Sequence, residues 1–160
     1  GHNMYMLDGV GGSMGGNITL AVGNDGAIMV DAAFAEMSDK IKAAIGAVSK
    51  VPVRYLVNTH YHGDHTGGNA AIAKDGASIV AHDELRRRMD MDMPNGTGGM
   101  RPRPPREALP NVTYNTTLTL RLNGQTAQLM HMPPAHTDGD TFVYFPDANV
   151  MATEIGRAHV

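Results

Sequence analysis

The stretch VRYLVNTHYHGDHTGGN, residues 53 to 69, decides how this chain is read. Its opening, residues 53–58, is a compact apolar run of the kind that makes a buried strand. Directly after it, three histidines and an aspartate fall within six positions: His60, His62, Asp64 and His65. In an open α/β sheet, ligands collect at the carboxyl ends of the strands, and His60 stands just past such an end. His60 and His62 are two residues apart, so an extended segment turns both imidazoles the same way. Asp64 and His65 follow where the chain bends toward the next helix, and can face a neighbouring point. One segment thus supplies two adjacent half-sites.

Upstream of this stretch, MYML (4–7), NITLAV (17–22) and AIMVD (27–31) are short β-favouring runs. GNDG, at 23–26, is the turn expected between the last two. The glycine-rich DGVGGSMGGN, at 8–17, is followed by a strand pattern where a dinucleotide fingerprint needs a helix, so it reads as a hairpin tip. A tip of this kind is also compatible with a mobile flap over a nearby site. At residues 38–49 the period changes: Ile41, Ile45 and Val48 recur at helical spacing, and Ser38 is placed to cap the start. Strand, helix, strand implies a parallel crossover. The beat repeats once downstream, with NAAIAKDG (69–76) as helix, ASIVAH (77–82) as strand and DELRRRM (83–89) as helix. An α/β fold class is the expectation.

Residues 92–111 are too rich in Pro and Gly for a helix or a central strand and read as a loop. Its Arg101, Arg103 and Arg106 are taken as solvated surface charges. TLTLRLNGQTAQLMHM (117–132) then forms a hairpin turning at Asn123-Gly124, and TFVYFPDANVMAT (141–153) forms a further pair of strands.

Composition limits what these elements can serve. The chain has 160 residues, 17.0 kDa and 42% hydrophobic content, enough for one domain with its own core. A net charge of −3 with 18% charged residues offers no basic field, so electrostatics names no partner and neither nucleic acid nor a membrane is expected. Oligomeric state is left open. No apolar run approaches the ~20 residues of a membrane span. The chain opens on Gly1 without a signal-type segment, which suggests a trimmed or cloned N-terminus and leaves the compartment open. Cysteine is absent, so any metal site is built from nitrogen and oxygen donors.

Zinc suits that donor set, and is catalytic when one coordination position is left to water. The first half-site needs a third histidine. PPAHTDGDT (133–141) offers His136, in a polar loop directly after a strand, where it can fold over the same sheet edge.

Taken together, these motifs resemble the metallo-β-lactamase superfamily. Its His-x-His-x-Asp-His signature is matched by His60, His62, Asp64 and His65. Its early strand-closing aspartate is matched by Asp31, and its later His-Thr by His136-Thr137. The resemblance runs from about residue 4 to residue 153 and implies an αββα sandwich with one or two zinc ions. In the complete family site two zincs share a hydroxide, lower its pKa to ~7 and polarise a carbonyl oxygen. His60, His62 and His136 would hold the first metal. Asp64 and His65 would serve the second, with Asp64 also orienting the hydroxide as the catalytic carboxylate. Asp31 would stand behind them as a structural carboxylate.

His82 and Asp140 are candidate pocket residues, although a backbone-satisfied helix start is an equal reading for His82. Asp140 and Asp138 could bond a ligand histidine, yet acidic loop residues usually face water.

The family also has a later bridging aspartate and a final histidine, and neither is matched here. After NVMAT the chain reads EIGRAHV, residues 154–160, whose back-translation GAG ATC GGA AGA GCA CAC GTC resembles read-through into a widely used sequencing adapter. The expected organisation is therefore a truncated metallo-β-lactamase domain at 1–153 and a non-native tail at 154–160, with at most one zinc well bound. The resemblance implies a zinc hydrolase acting on a β-lactam, thioester or lactone. The alternative is an inactive metal-binding fragment of such an enzyme. A nuclease of the same family fits the acidic balance less well. The family's diiron oxidoreductases typically carry glutamate where His62 stands.

Overall fold

The computed structural model describes residues 3–9, 15–94, 97–133 and 135–153. Its first sheet begins as a meander of β1 (Asn3–Leu7), β2 (Ile18–Gly23) and β3 (Gly26–Val30), paired antiparallel in that order. Helix α1 (Ser38–Val48) then carries the chain back to β4 (Val53–Val57), which pairs parallel with β3. After α2 (Gly63–Thr66) and α3 (Asn69–Ala73), β5 (Ser78–His82) adds in parallel. Next come α4 (Asp83–Met89) and the two-residue strands β6 (Met93–Pro94) and β7 (Met100–Arg101), which pair with each other. The sheet closes with β8 (Val112–Tyr114), giving the order β1-β2-β3-β4-β5-β8. The second sheet is antiparallel and ordered β12-β11-β10-β9, from β9 (Thr117–Leu122), β10 (Gln125–His131), β11 (Thr141–Phe145) and β12 (Val150–Ala152).

Strand alternation divides the apolar residues between two cores. Ile18, Leu20, Met29, Leu56 and Ile79 face the helices, where Ile41 and Ile45 of α1 and Ile72 of α3 cover them. Ala21, Ile28, Val30, Val57 and Val80 face the second sheet and pack on Leu120, Leu129, Val143 and Phe145. The central strands are therefore covered on both faces, β3 along its whole length and β4 and β5 toward their carboxyl ends, which is why they read as mostly apolar runs. Among the described residues this gives helix, sheet and sheet, three of the four expected layers.

The Asn123-Gly124 turn has φ of 58° and 70°, the left-handed pair that a type I′ hairpin requires. The Asn123 side chain also accepts from Asp25 N–H at 2.7 Å and donates to the Gly26 carbonyl at 3.0 Å. It thereby ties the second sheet to the first at the end away from the histidines. Two local expectations need correction. Ser38 is already the first helical residue of α1, and its hydroxyl donates to Ala35 O at 2.7 Å instead of capping the helix. The 92–111 segment is mostly loop, yet Val112 to Tyr114, just beyond it, joins β5 as an edge strand that its sequence does not announce. Among the described residues, no helix is long and apolar enough to cross a membrane. Residues 154–160, and Val10 to Met14 of the glycine-rich tip, lie outside the described residues.

Candidate metal centre

Because β3 and β4 are parallel, their carboxyl ends meet at one edge, and this edge collects the chemistry. Asp31 directly follows β3, while Asn58, Thr59 and His60 leave the end of β4. The 135–140 segment follows β10 of the other sheet, and the amide of Thr141 donates to the Thr59 carbonyl at 2.9 Å. That bond brings the two sheets together beside His60.

The ring nitrogens converge. His60 Nε2 and His62 Nδ1 are 3.0 Å apart, as are His136 Nε2 and His62 Nδ1. A tetrahedral zinc with nitrogen ligands at about 2.0–2.1 Å needs them roughly 3.3 Å from one another, so these three are close to a ligand triangle. Burial, then the neighbouring rings of His65, His62 and His136, lower the His60 pKa to about 2. His62 is lowered as well, by burial and by His136. Three imidazole nitrogens facing one another at this spacing form a donor set fitted to a cation.

A second group overlaps the first: donor atoms of His60, Asp64 and His65 lie within 4.8 Å of one another. Here Asp31 matters. It is buried, and its Oδ1 accepts from Thr59 N–H at 2.8 Å. Its Oδ2 accepts from the Thr59 hydroxyl at 2.7 Å and faces His65 Nδ1 at 2.7 Å. A carboxylate can only accept, so His65 carries its proton on Nδ1. Its other ring nitrogen, Nε2, lies 3.5 Å from Asp64 Oδ2. Asp31 itself has φ of 64°, a left-handed conformation that an aspartate tolerates better than most side chains.

Glycines close the other side. A Cβ on Gly15 (φ 88°) would stand 2.4 Å from Asp64 Cβ, and one on Gly16 would meet the His65 ring at 3.1 Å. The end of the glycine-rich segment therefore rests on the second group, which only residues without side chains permit. A cavity of ≈ 770 Å³ opens over the histidines between the two sheet edges, with Met6 of β1 on one side and Met151 of β12 on the other.

Two residues named as pocket candidates stand elsewhere. His82 caps α4, its Nδ1 accepting from Glu84 N–H at 3.2 Å and its Nε2 donating to Asn115 O at 2.7 Å. Its ring stacks on His131, so the backbone-satisfied reading is the one observed. Asp140 does not line the cavity either; its carboxylate is turned onto the backbone of the 135–140 loop. Asp138 does not simply face water: Arg88 of α4 grips it with contacts of 2.6 and 2.9 Å, and this pairing lowers its pKa.

Sequence reasoning missed Thr59, whose amide and hydroxyl join Asp31 to the histidine segment. It also missed the buried Asn58–Asn69 pair, bonded reciprocally at 2.8 and 3.0 Å beneath the same segment. A polar residue directly before the first histidine was the signal for Thr59. Nothing local marks the asparagine pair.

The chain belongs to the metallo-beta-lactamase superfamily, whose description matches residues 11–153. Among curated relatives, the hydroxyacylglutathione hydrolase of Anaeromyxobacter dehalogenans (strain 2CP-C) is 42% identical over 67 residues, 39% of this chain and 26% of that protein. The 2,4-dinitroanisole O-demethylase subunit alpha of Nocardioides sp. (strain JS1661) is 29% identical over 137 residues, 81% of this chain and 38% of that protein. Among solved structures, the class B3 di-zinc metallo-beta-lactamase LRA-12 from an Alaskan soil metagenome superposes with a TM-score of 0.73 at 24% identity, covering 90% of this chain and 54% of that one. A metallo-beta-lactamase from Pontibacter korlensis gives 0.69 at 24% identity, covering 84% and 57%. These structures share the α/β fold of the superfamily with this chain. The chain spans 26% and 38% of those two curated relatives and about half of each of the two solved structures.

Proposed function

We propose that this chain carries the metal-holding part of a zinc-dependent hydrolase that acts on a carbonyl compound, with a thioester as the favoured class. The observation that carries the reading is the convergence of the His60, His62 and His136 ring nitrogens, 3.0 Å apart in successive pairs, at the strand ends. The name of the hydroxyacylglutathione hydrolase relative denotes thioester cleavage and supports the substrate class. The donor chemistry fits the ion: borderline-soft zinc takes three imidazoles and leaves a position open. When bound, zinc supplies Lewis acidity, which polarises a carbonyl oxygen and makes water more acidic.

The chain's own residues do the rest. Burial keeps His60 neutral and available. Asp31 holds the His65 ring by Nδ1, so that Nε2 is turned toward Asp64. Asp64, with its carboxylate at the cavity wall, orients the attacking water by accepting a hydrogen bond from it. Met6 and Met151 flank the opening with flexible apolar surface for the acyl portion of a substrate. The partner is thus a small molecule, with no role for nucleic acid or membrane.

A second reading, a metal-binding but inactive fragment, is favoured by the unequal donor sets. Among the described residues, the first group has three imidazoles, whereas the second has Asp64 and His65 and otherwise shares His60. On that count the chain holds one zinc well and a second weakly.

The test is turnover of the zinc-loaded chain on a panel of thioester, β-lactam, lactone and dinitroanisole, beside His62→Ala. Zinc-dependent thioester cleavage that His62→Ala abolishes supports the enzyme. Stoichiometric zinc without turnover on any substrate supports the fragment. Failure to bind zinc overturns both.

A further inference from the structure

We propose that Asp140 is the positioning residue that sets His136 against the His60–His62 pair, acting on the backbone of the 135–140 loop and not on any imidazole. This rests on the reading that His136 holds a metal.

His136 has the weakest intrinsic placement of the three histidines. It is exposed and sits in an irregular loop, whereas His60 is buried directly behind β4. A metal site tolerates errors of only about 0.2 Å in its ligand distances, so such a loop must be held from elsewhere. Asp140, 1% exposed, does this. Its Oδ2 accepts from the amides of His136 at 2.7 Å and Thr137 at 2.9 Å. Its Oδ1 accepts from the Thr137 amide at 3.1 Å and from the Thr137 hydroxyl in a short contact.

The backbone around Asp140 is fixed in turn. Its carbonyl accepts from Met132 N–H at 2.9 Å and from His131 Nδ1 at 3.1 Å. The next amide, Thr141 N–H, reaches the Thr59 carbonyl one residue before His60. The Thr141 side chain is held by Tyr114 Oη at 2.7 Å. A continuous strut therefore runs from the His136 amide through Asp140 and Thr141 to Thr59, measuring the third histidine against the first. The Arg88–Asp138 pair braces the same loop from its outer, partly exposed side, where an ion pair contributes little.

The strut makes an unusual demand on substitutions. Asparagine, with its carbonyl in the Oδ2 position, still accepts both amides, and its NH2 can donate to the Thr137 hydroxyl. Glutamate keeps the charge but moves the carboxylate by one methylene. Geometry and charge are thereby separated.

The experiment measures zinc affinity by chelator competition and the visible spectrum of the cobalt-loaded chain. Unfolding of the metal-free proteins is followed in parallel. The set is the unsubstituted chain, His136→Ala, Asp138→Asn, and Asp140 replaced by Ala, Asn and Glu. Asp140→Ala and Asp140→Glu are expected to weaken zinc by about 10- to 100-fold and to alter the cobalt spectrum, the loss typical for a residue that orients a ligand. Asp140→Asn and Asp138→Asn are expected to stay within roughly threefold of the unsubstituted chain with its spectrum, because the amide contacts survive. The inference is overturned if Asp140→Ala binds zinc like the unsubstituted chain while His136→Ala does not, or if Asn loses as much as Glu. Should Asp140→Ala fail to fold, the Asn and Glu pair decides by the same criterion. If His136→Ala binds zinc normally, the metal assignment itself fails and takes this inference with it.

Discussion

Replacing Asp31 by asparagine tests how the second donor group is organised, because the structure makes stability and tautomer respond differently. Asp31 satisfies three donors: the Thr59 amide, the Thr59 hydroxyl and His65 Nδ1. Alanine takes the Asp31 acceptor from two buried Thr59 groups, the amide and the hydroxyl, the latter keeping only 3.4 Å contacts to the His60 and His65 rings. At ~1–3 kcal/mol for each, plus about 1 kcal/mol for a Cβ residue without local hydrogen bonding at φ 64°, the loss is about 3–7 kcal/mol. Asparagine can keep its carbonyl on the Thr59 amide and offer its two N–H groups to the Thr59 hydroxyl and to His65 Nδ1. The opposite flip would orphan the Thr59 amide, which is 1% exposed, and is the costlier choice. Asp31→Asn therefore loses only about 1–3 kcal/mol, the difference between a charged and a neutral acceptor. It also forces His65 Nδ1 to accept, moving the proton to Nε2, where it faces Asp64. Urea denaturation gives the stability change, and long-range ¹H–¹⁵N NMR of the imidazole reads the tautomer directly. A His65 that stays protonated on Nδ1 in Asp31→Asn, or an asparagine variant as unstable as alanine, would refute the reasoning.

Three further outcomes follow from the same geometry. The metal-free chain should lose stability as pH falls below about 6.5: an unfolded histidine takes up a proton there while His60, lowered to about 2, does not, at up to ~1.4 kcal/mol per pH unit, and His62, lowered too, acts in the same direction. Denaturation midpoints at pH 8 and pH 5 check this, and equal or higher stability at pH 5 contradicts it. Gly15→Ala should displace Asp64 and weaken any second metal, since the new Cβ would stand 2.4 Å from Asp64 Cβ at a φ of 88°; a cobalt titration past one equivalent shows whether it does. Leu129→Ala, a fully buried side chain between the sheets, should cost about 2–5 kcal/mol in urea denaturation while leaving the first metal site intact.

What could be read in advance was whatever is local. His60 to His65 is contiguous and follows a compact, mostly apolar strand whose last residues, Leu56 and Val57, are fully buried, so motif and sheet edge were legible together. Asn123-Gly124 announces its turn because few residues adopt two successive left-handed conformations. The unread features are long-range. Arg88 finds Asp138 50 positions away, so a loop aspartate that looks solvated is gripped instead. β8 is three residues long, and only its pairing with β5 makes it a strand. Asp140 was noticed for its nearness to His136, but a sequence does not show whether a carboxylate faces a ring or a backbone amide. Ser38 was misread by a single position, because the 3₁₀ turn at Ala35–Met37 leads directly into α1 and leaves no free cap position.

The central claim is that His60, His62 and His136 together hold one zinc ion. X-ray absorption at the zinc edge, on the chain loaded with a single equivalent, tests it most directly. A shell of nitrogen and oxygen at about 2.0–2.1 Å with the scattering of three imidazoles is expected, falling to two in His136→Ala. An unchanged imidazole count in His136→Ala, or a spectrum of zinc bound mainly by water and carboxylates, would contradict it.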